Sequence, residues 1–302
     1  MIPVKMLKQA THQNPKPLTR LSPVASKHPA FQNHLLNALP MELYECLYPQ
    51  LELVPMQCGD VIYESGGVMR YAFFPTNCIA SVFYIMEDGA TSEVAVVGNE
   101  GMVGVALLMG GDTMPNRAVI QTAGWAYRLK KQVLEREISR NVTFLSILLL
   151  YTQALITQIA QISACNRHHC HDQQLCRLLL QRLDRLDSDE LCMTHEFIAN
   201  ILGVRREGVT EAAGKLQQAG LIKYRRGHIT VLDRQGLEAR VCECYQVVKT
   251  EFDRLLPKPA SLGGSNRSFF KFAGHEKSAC IQVSFSRKGI RKFEGYMTAS
   301  LF

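Results

Sequence analysis

From Cys58 to Leu129 the chain alternates short apolar runs with glycine-bearing turns. The runs "DVIYES", "YAFFP", "CIASVFYIM", "SEVAVV", "RAVIQTA" and "WAYRL" are divided by Gly59, Gly66-Gly67, Asp88-Gly89, Gly98, Gly110-Gly111 and Gly124. Short strands spaced about 8–12 residues apart with such turns predict an antiparallel β sandwich or barrel. Ahead of it, "LLNALPMELYECLYPQLEL" reads as a short helical pattern. Behind it, a helical stretch runs from about Lys131 to Cys165. Within it Leu145, Leu148, Thr152, Leu155, Ile159 and Ile162 recur in alternating steps of three and four. That is a heptad seam with one polar position, which predicts a two-stranded dimerisation helix. A helix packed on its own β domain is the alternative. Gln174 to Phe252 is expected to be mostly helical with one short hairpin. No internal repeat is present.

The segment "HEFIANILGVRREGVTEAAGKLQQAGLI", residues 195–222, carries a glycine in the middle of an otherwise helical pattern. A helix-interior glycine costs about 1 kcal/mol relative to alanine, so the chain is expected to turn there. Thr194 can cap a first helix whose apolar stripe is Phe197, Ile198 and Ile201. Ala199 leaves room for a crossing helix, and Gly203 can adopt the positive φ of a tight reversal. Arg205, Arg206 and Glu207 then open a second helix with Val209, Ala212, Ala213 and Leu216 on its apolar face, ended by Gly220. Two short helices around a glycine turn, with basic residues at the second N-terminus, are the pattern of a DNA-binding helix-turn-helix. "LIKYRRGHITVL" adds two short β runs around Arg226-Gly227, the hairpin of a winged helix that brings Lys223, Arg225 and Arg226 to the duplex backbone.

Over roughly residues 35 to 256 the sequence resembles the Crp/Fnr family of bacterial transcription regulators. The resemblance is carried by "IANILGVRREGVT", by "KLQQAGLIKYRRGHITVLDRQGLE", and by a β segment with "GNEGMVG", a long helix and a winged helix in the family's order. It implies an α+β architecture: an N-terminal antiparallel β-roll like a cyclic-nucleotide-binding domain, a long dimerisation helix, and a C-terminal winged helix-turn-helix. The expected division is a flexible basic arm (1–30), a sensor β-roll (31–140), the dimerisation helix and hinge (141–170), the DNA-binding domain (171–256) and a basic tail expected to be disordered (257–302). The resemblance also implies that Arg206 and Glu207 match the pair that family members place on base edges. An arginine can bridge guanine O6 and N7, and a carboxylate can accept from cytosine N4. Thr210 shares that face, and His195 completes the expected DNA-binding set. Many members have arginine where this chain has Glu211, so the operator does not carry over. Members that bind cyclic AMP use a Gly-Glu-Leu-Gly-like stretch followed by an Arg-Ser or Arg-Thr pair. Here the stretch is "GMVG", and the later pair is Arg117-Ala118. Methionine does not accept a useful hydrogen bond from ribose, so Met102, Gly104 and Arg117 outline a pocket not expected to hold cyclic AMP.

Composition narrows the picture further. With 47% hydrophobic and 20% charged residues in 302, the chain reads as an ordinary globular protein of about two domains. Its net charge of +7 is concentrated at the ends. From Pro257 onward Lys and Arg face only Glu276 and Glu294, and no acid precedes Glu42, so any nucleic-acid site in the middle must be a local patch. No secretory h-region occurs in residues 1–30, and the apolar run at 142–151 is about half of a membrane span. A soluble cytoplasmic protein with reduced thiols is expected despite 10 cysteines. The expected partners are double-stranded DNA and a second copy of the chain, with RNA polymerase and an unidentified small effector left open and no membrane. No cofactor is expected.

"CNRHHCHDQQLC", residues 165–176, is dense in metal-ligand types, and a thiol- or metal-based redox sensor is the alternative function. Cys165, His168, Cys170 and His171 are its candidate ligands, but one contiguous cluster would have to bend sharply to surround an ion. In "CECY", Cys242 and Cys244 would lie about 200° apart on a helix and make poor partners. The zinc-protease pattern begun at His195 ends in Ala199, and no phosphate loop or nucleophile elbow is present. Nothing favours an enzyme.

Overall fold

The computed structural model describes residues 32–256; the expected basic arm and basic tail lie outside them. Two short helices, α1 (His34–Asn37) and α2 (Met41–Leu47), lead into seven strands: β1 (Glu52–Met56), β2 (Val61–Tyr63), β3 (Tyr71–Pro75), β4 (Ile79–Ile85), β5 (Thr91–Val97), β6 (Arg117–Thr122) and β7 (Gly124–Lys130). They form two antiparallel sheets, in the orders β1-β7-β3 and β2-β6-β4-β5. Alternate side chains such as Ala72, Phe74, Ala80, Val97, Ile120 and Leu129 point into a shared core closed by Leu35, Leu36 and Leu47. Strand β1 corrects the helical reading of "QLEL". Its Pro55 sits on an edge strand, where a missing N–H is tolerated.

The helical stretch after β7 is two helices, α3 (Lys131–Arg140) and α4 (Val142–His168). Asn141 breaks them with extended backbone, and its side chain caps α4 by accepting from the Phe144 N–H. By length and composition α4 would suffice to cross a membrane, but its inner face is built into the fold. Phe144, Leu148, Tyr151 and Leu155 enter the β-roll core. The Tyr151 hydroxyl donates to the Met102 carbonyl at 2.9 Å, and Gln158 Oε1 accepts from the Val96 N–H at 2.9 Å.

This placement corrects the expected seam. Leu148, Thr152, Leu155 and Ile162 are buried within the chain itself, Leu145 is half-buried and only Ile159 is exposed. The apolar row left open on α4 is Val142 (77% exposed), Leu149 (50%) and Ile156 (58%), with Ile159 beside it. The heptad spacing survives, but one of its two rows moves over by one residue.

Beyond α4 come α5 (His171–Leu183), β8 (Glu190–Cys192), α6 (His195–Leu202), α7 (Arg206–Gln218), β9 (Ile222–Arg225), β10 (His228–Val231), α8 (Arg234–Arg240) and α9 (Glu243–Leu255). Strand β8 pairs with the hairpin to give the order β8-β10-β9, so the expected two-stranded wing has a third strand. Leu175, Leu179, Ile198, Val209, Leu216 and Ile229 form a second core, which Phe83 of β4 joins. A buried polar latch also ties this core to the β-roll. Arg182, 1% exposed, donates to Glu93 Oε2 at 2.7 Å and to Gln121 Oε1 at 3.2 Å. Helix α9 folds back along α4, where Phe252 meets Tyr151 edge-on at 6.4 Å between ring centroids.

Candidate nucleic-acid interface

Helix α6 starts where Thr194 Oγ1 accepts the Phe197 N–H at 3.1 Å. It stops at Gly203, whose φ of +66° is the left-handed conformation a helix C-cap requires and an L side chain resists. Ile198, Ala199 and Ile201 are buried, and Phe197 is half-buried. Arg205 stands at the N-cap position of α7 in extended backbone, and Arg206 is the first helical residue. The inward face of α7 is Val209, Ala212, Ala213 and Leu216, all buried. That burial leaves Arg205, Arg206, Glu207 and Thr210 exposed at the N-terminal end.

The wing turns through Arg226 (φ +48°) and Gly227 (φ +85°), with His228 paired to Arg225 across it. Two consecutive positive φ values give a two-residue type I′ hairpin. Lys223, Arg225 and Arg226 are exposed on it.

His195, expected on the DNA face, is instead half-buried between α7 and the wing. Its Nδ1 lies 3.0 Å from Thr210 Oγ1, and its ring stacks on Tyr224 at 4.1 Å with 25° between planes. Burial, then the nearby Arg206 charge, lowers its pKa, which keeps the ring neutral. Thr210 Oγ1 also donates to the Arg206 carbonyl at 3.0 Å. Gln217 Oε1 accepts from the Tyr224 N–H at 2.9 Å, a second tie between α7 and β9. Tyr224 and Gln217 escaped sequence reading because neither type is diagnostic at those positions. Glu211 is held by Lys215 at 2.9 Å, so the acid that departs from the family pattern is paired within its own helix.

In the β-roll, Met102 is 0% exposed and points into the core. Gly104 takes φ +109° at the start of a 3-10 turn, and Arg117 pairs with Glu64 at 3.2 Å. A cleft of about 550 Å³ lies elsewhere, among His34, Glu100, Arg185, Tyr245, Lys249 and Phe252. The expected ligand cluster also comes apart. Cys165 is buried at the end of α4, whereas His168, Cys170 and His171 are exposed, with the His171 ring turned against Gly208 of α7. The α4 helix ends at His168 and a new one starts at His171, so these neighbours in sequence face different ways.

Two family models match the chain: a cyclic nucleotide-binding domain over residues 53–141 and a Crp-like helix-turn-helix domain over residues 173–240. No protein of curated function matches the sequence. Among solved structures, FixK2 from Bradyrhizobium japonicum is similar at 16% identity and TM-score 0.54, covering 64% of this chain and 98% of its own. A CRP-family transcriptional regulator from Thermus thermophilus is similar at 19% identity and TM-score 0.54, covering 62% and 95%. A second CRP/FNR-family regulator from that organism reaches 21% identity and TM-score 0.50, covering 65% and 98%. At such identities the likeness to these structures is one of fold. With both domain models met in this order on one chain, and the winged helix-turn-helix built as described, the chain belongs to the Crp/Fnr family of transcription regulators.

Proposed function

We propose that the protein binds an inverted-repeat operator as a cytoplasmic homodimer, reading bases with Arg206 and Glu207 and phosphates with Arg205, Lys223, Arg225 and Arg226. The observation that carries this reading is the exposed N-terminus of α7 beside the exposed basic hairpin, both held at fixed geometry by the His195–Thr210–Tyr224 contacts. A two-fold dimer sets two such helices about 34 Å apart, one turn of B-DNA. The open row Val142, Leu149, Ile156 and Ile159 on α4 supports self-association through that helix.

The β-roll does not act as a cyclic AMP receptor in this proposal. In support, the side chain at the ribose-binding position of the family pattern is a methionine turned into the core. The space above Gly101 is also filled by Tyr151, whose ring a Cβ there would strike. Any effector is therefore of another chemistry.

Selection of bound duplexes from a random pool tests the proposal. A palindromic motif is expected. Arg206→Ala should cost about 1–3 kcal/mol and relax preference at one position per half-site. Arg225→Ala should weaken binding to all sequences alike and reduce the salt slope by about 1. Salt-sensitive binding with no recoverable motif would overturn base reading by Arg206 and Glu207.

A further inference from the structure

The fold brings together four metal-ligand side chains that lie far apart in the sequence. Cys165 ends the buried face of α4, and His169 follows its last turn. Cys242 is the N-cap of α9, and Cys244 lies in its first turn. One ligand atom from each falls within 4.8 Å of all the others. Cys165 Sγ and Cys242 Sγ are 3.5 Å apart, and Cys244 Sγ is 3.4 Å from His169 Nδ1. Tetrahedral bonds of about 2.3 Å to sulfur and about 2.0 Å to nitrogen place ligand atoms roughly 3.5–3.8 Å from one another. The observed spacings therefore fit one shared ion. A polynuclear iron–sulfur cluster spreads its thiolates over several irons and needs them wider apart.

The surroundings carry the marks of a metal site as well. The other nitrogen of His169, Nε2, lies 3.3 Å from Glu243 Oε1. A carboxylate there holds the ring proton on Nε2 and turns the Nδ1 lone pair toward the thiols, the usual support of a ligating histidine. Gln161 Nε2 donates to Cys244 Sγ at 3.2 Å. Gln174 Nε2 donates to the His169 carbonyl at 2.8 Å and pins the loop that carries it. The buried guanidinium of Arg177 lies beside Cys165 and offsets the net negative charge that three thiolates leave on a divalent ion. Cys165, Cys242 and Cys244 are buried and His169 is half-buried, as the ligands of a closed site are.

We propose that Cys165, His169, Cys242 and Cys244 bind one zinc(II) ion in a closed, structural Cys₃His site that fastens α9 to the end of α4. Three thiolates and an imidazole in tetrahedral array select zinc over harder divalent ions. The ligands come from two separate segments, as in other structural zinc sites, and the ion closes a loop from 165 to 244 that contains the matched helix-turn-helix domain, residues 173–240.

The test uses the full chain, kept reduced with a non-thiol reductant so that Cys165 and Cys242 stay as thiols. Protein purified without added metal should carry about one zinc per chain by mass spectrometry. After zinc removal, titration with cobalt(II) should saturate at one equivalent. Intense tetrahedral ligand-field bands and thiolate charge-transfer bands should appear, and zinc should bleach both. Cys242→Ser should abolish the stoichiometric complex. Glu243→Gln should weaken it about 10–100-fold. His169→Cys should retain one cobalt with a stronger charge-transfer band, a gain that a merely misfolded variant does not give. Cys170→Ser and His168→Ala should bind as the unaltered protein does. Weak octahedral cobalt absorption, a complex unchanged by Cys242→Ser, or an iron–sulfide chromophore with several irons per chain would each overturn the proposal. None of these readouts involves DNA, so the result stands apart from the operator experiment.

Discussion

In the proposed dimer, the register of the seam turns on two neighbouring positions of α4, Leu155 and Ile156. Ile156 is 58% exposed, whereas Leu155, the residue that sequence periodicity assigns to the seam, is 7% exposed and sits in the β-roll core. Fully burying a side chain of this size stabilises by about 1.5–3 kcal/mol. Ile156 therefore has about 1–1.5 kcal/mol still to gain per chain. A two-fold interface uses the residue twice, which gives about 2–3 kcal/mol per dimer. Ile156→Ala keeps the Cβ and forfeits most of this, about 2 kcal/mol, so the dimer Kd should rise about 30-fold. Leu155→Ala should instead lower the stability of the fold by about 2–5 kcal/mol and leave dimer affinity nearly unchanged. Sedimentation equilibrium measures the first quantity, and urea unfolding at dimer-saturating concentration the second. Ile159 belongs to both registers and does not discriminate. If Leu155→Ala loosened the dimer more than Ile156→Ala did, with ordinary unfolding, the exposed row would not be the interface.

Three further outcomes are expected. Gly203→Ala forces a left-handed φ on an L residue and should destabilise by about 1–2 kcal/mol by thermal melting; the added Cβ meets Ser92 at ordinary contact distance, so no clash contributes. Gly214→Ala, in the open middle of α7, should do the opposite and stabilise by about 0.5–1 kcal/mol, and equal melting of the two variants would remove the strain argument. Glu93→Gln leaves the buried Arg182 guanidinium without its carboxylate and should cost about 3–5 kcal/mol by denaturation, whereas replacing both residues with apolar ones of similar size should be nearly neutral. A single substitution as harmless as the double would show that water reaches the pair.

Legibility in the sequence followed the strength of local signals. The glycine-punctuated runs from Cys58 to Leu129 gave six of the strands because alternation and turns agree there. Strand β1 was lost because Pro55 argues against a strand unless the strand is known to be an edge. Strand β8 has three residues, too few for a period to show. The seam moved because Leu148, Leu149 and Leu150 are consecutive: a heptad row can be drawn through 148 or 149, and only the packing of the β-roll selects 148 for the core. The cysteine pair at 242 and 244 looked incompatible because both were placed on one helix. Cys242 is an N-cap in extended backbone, so the helical angle between them does not apply. His168, Cys170 and His171 failed the other way. They are adjacent in the chain, and a helix boundary turns them apart.

Helix α4 links these observations. One of its faces completes the β-roll core through Phe144, Leu148 and Tyr151, and a second carries α9 through Tyr151 and Cys165. A third, bearing Val142, Leu149 and Ile156, is exposed. The Tyr151 side chain touches two of these settings at once: its hydroxyl holds the Met102 carbonyl inside the β-roll while its ring meets Phe252 of α9. Any change in how the β-roll packs at Gly101 and Met102 therefore presses on the helix that carries both the exposed apolar row and the C-terminal helix. Well-packed interiors transmit such displacements because they have little free volume to absorb them. The packed contacts between the β-roll and the DNA-binding domain run through α4 and through the Arg182–Glu93 latch. Tyr151→Phe removes only the hydroxyl contact to Met102, so it should alter the coupling between the two domains while leaving the DNA-contacting face of α7 intact. Domain-resolved hydrogen exchange checks this: faster exchange at 98–104 and along α9, with unchanged protection in α7, is the expected pattern, and equal acceleration in all three would show that the substitution only destabilises the fold.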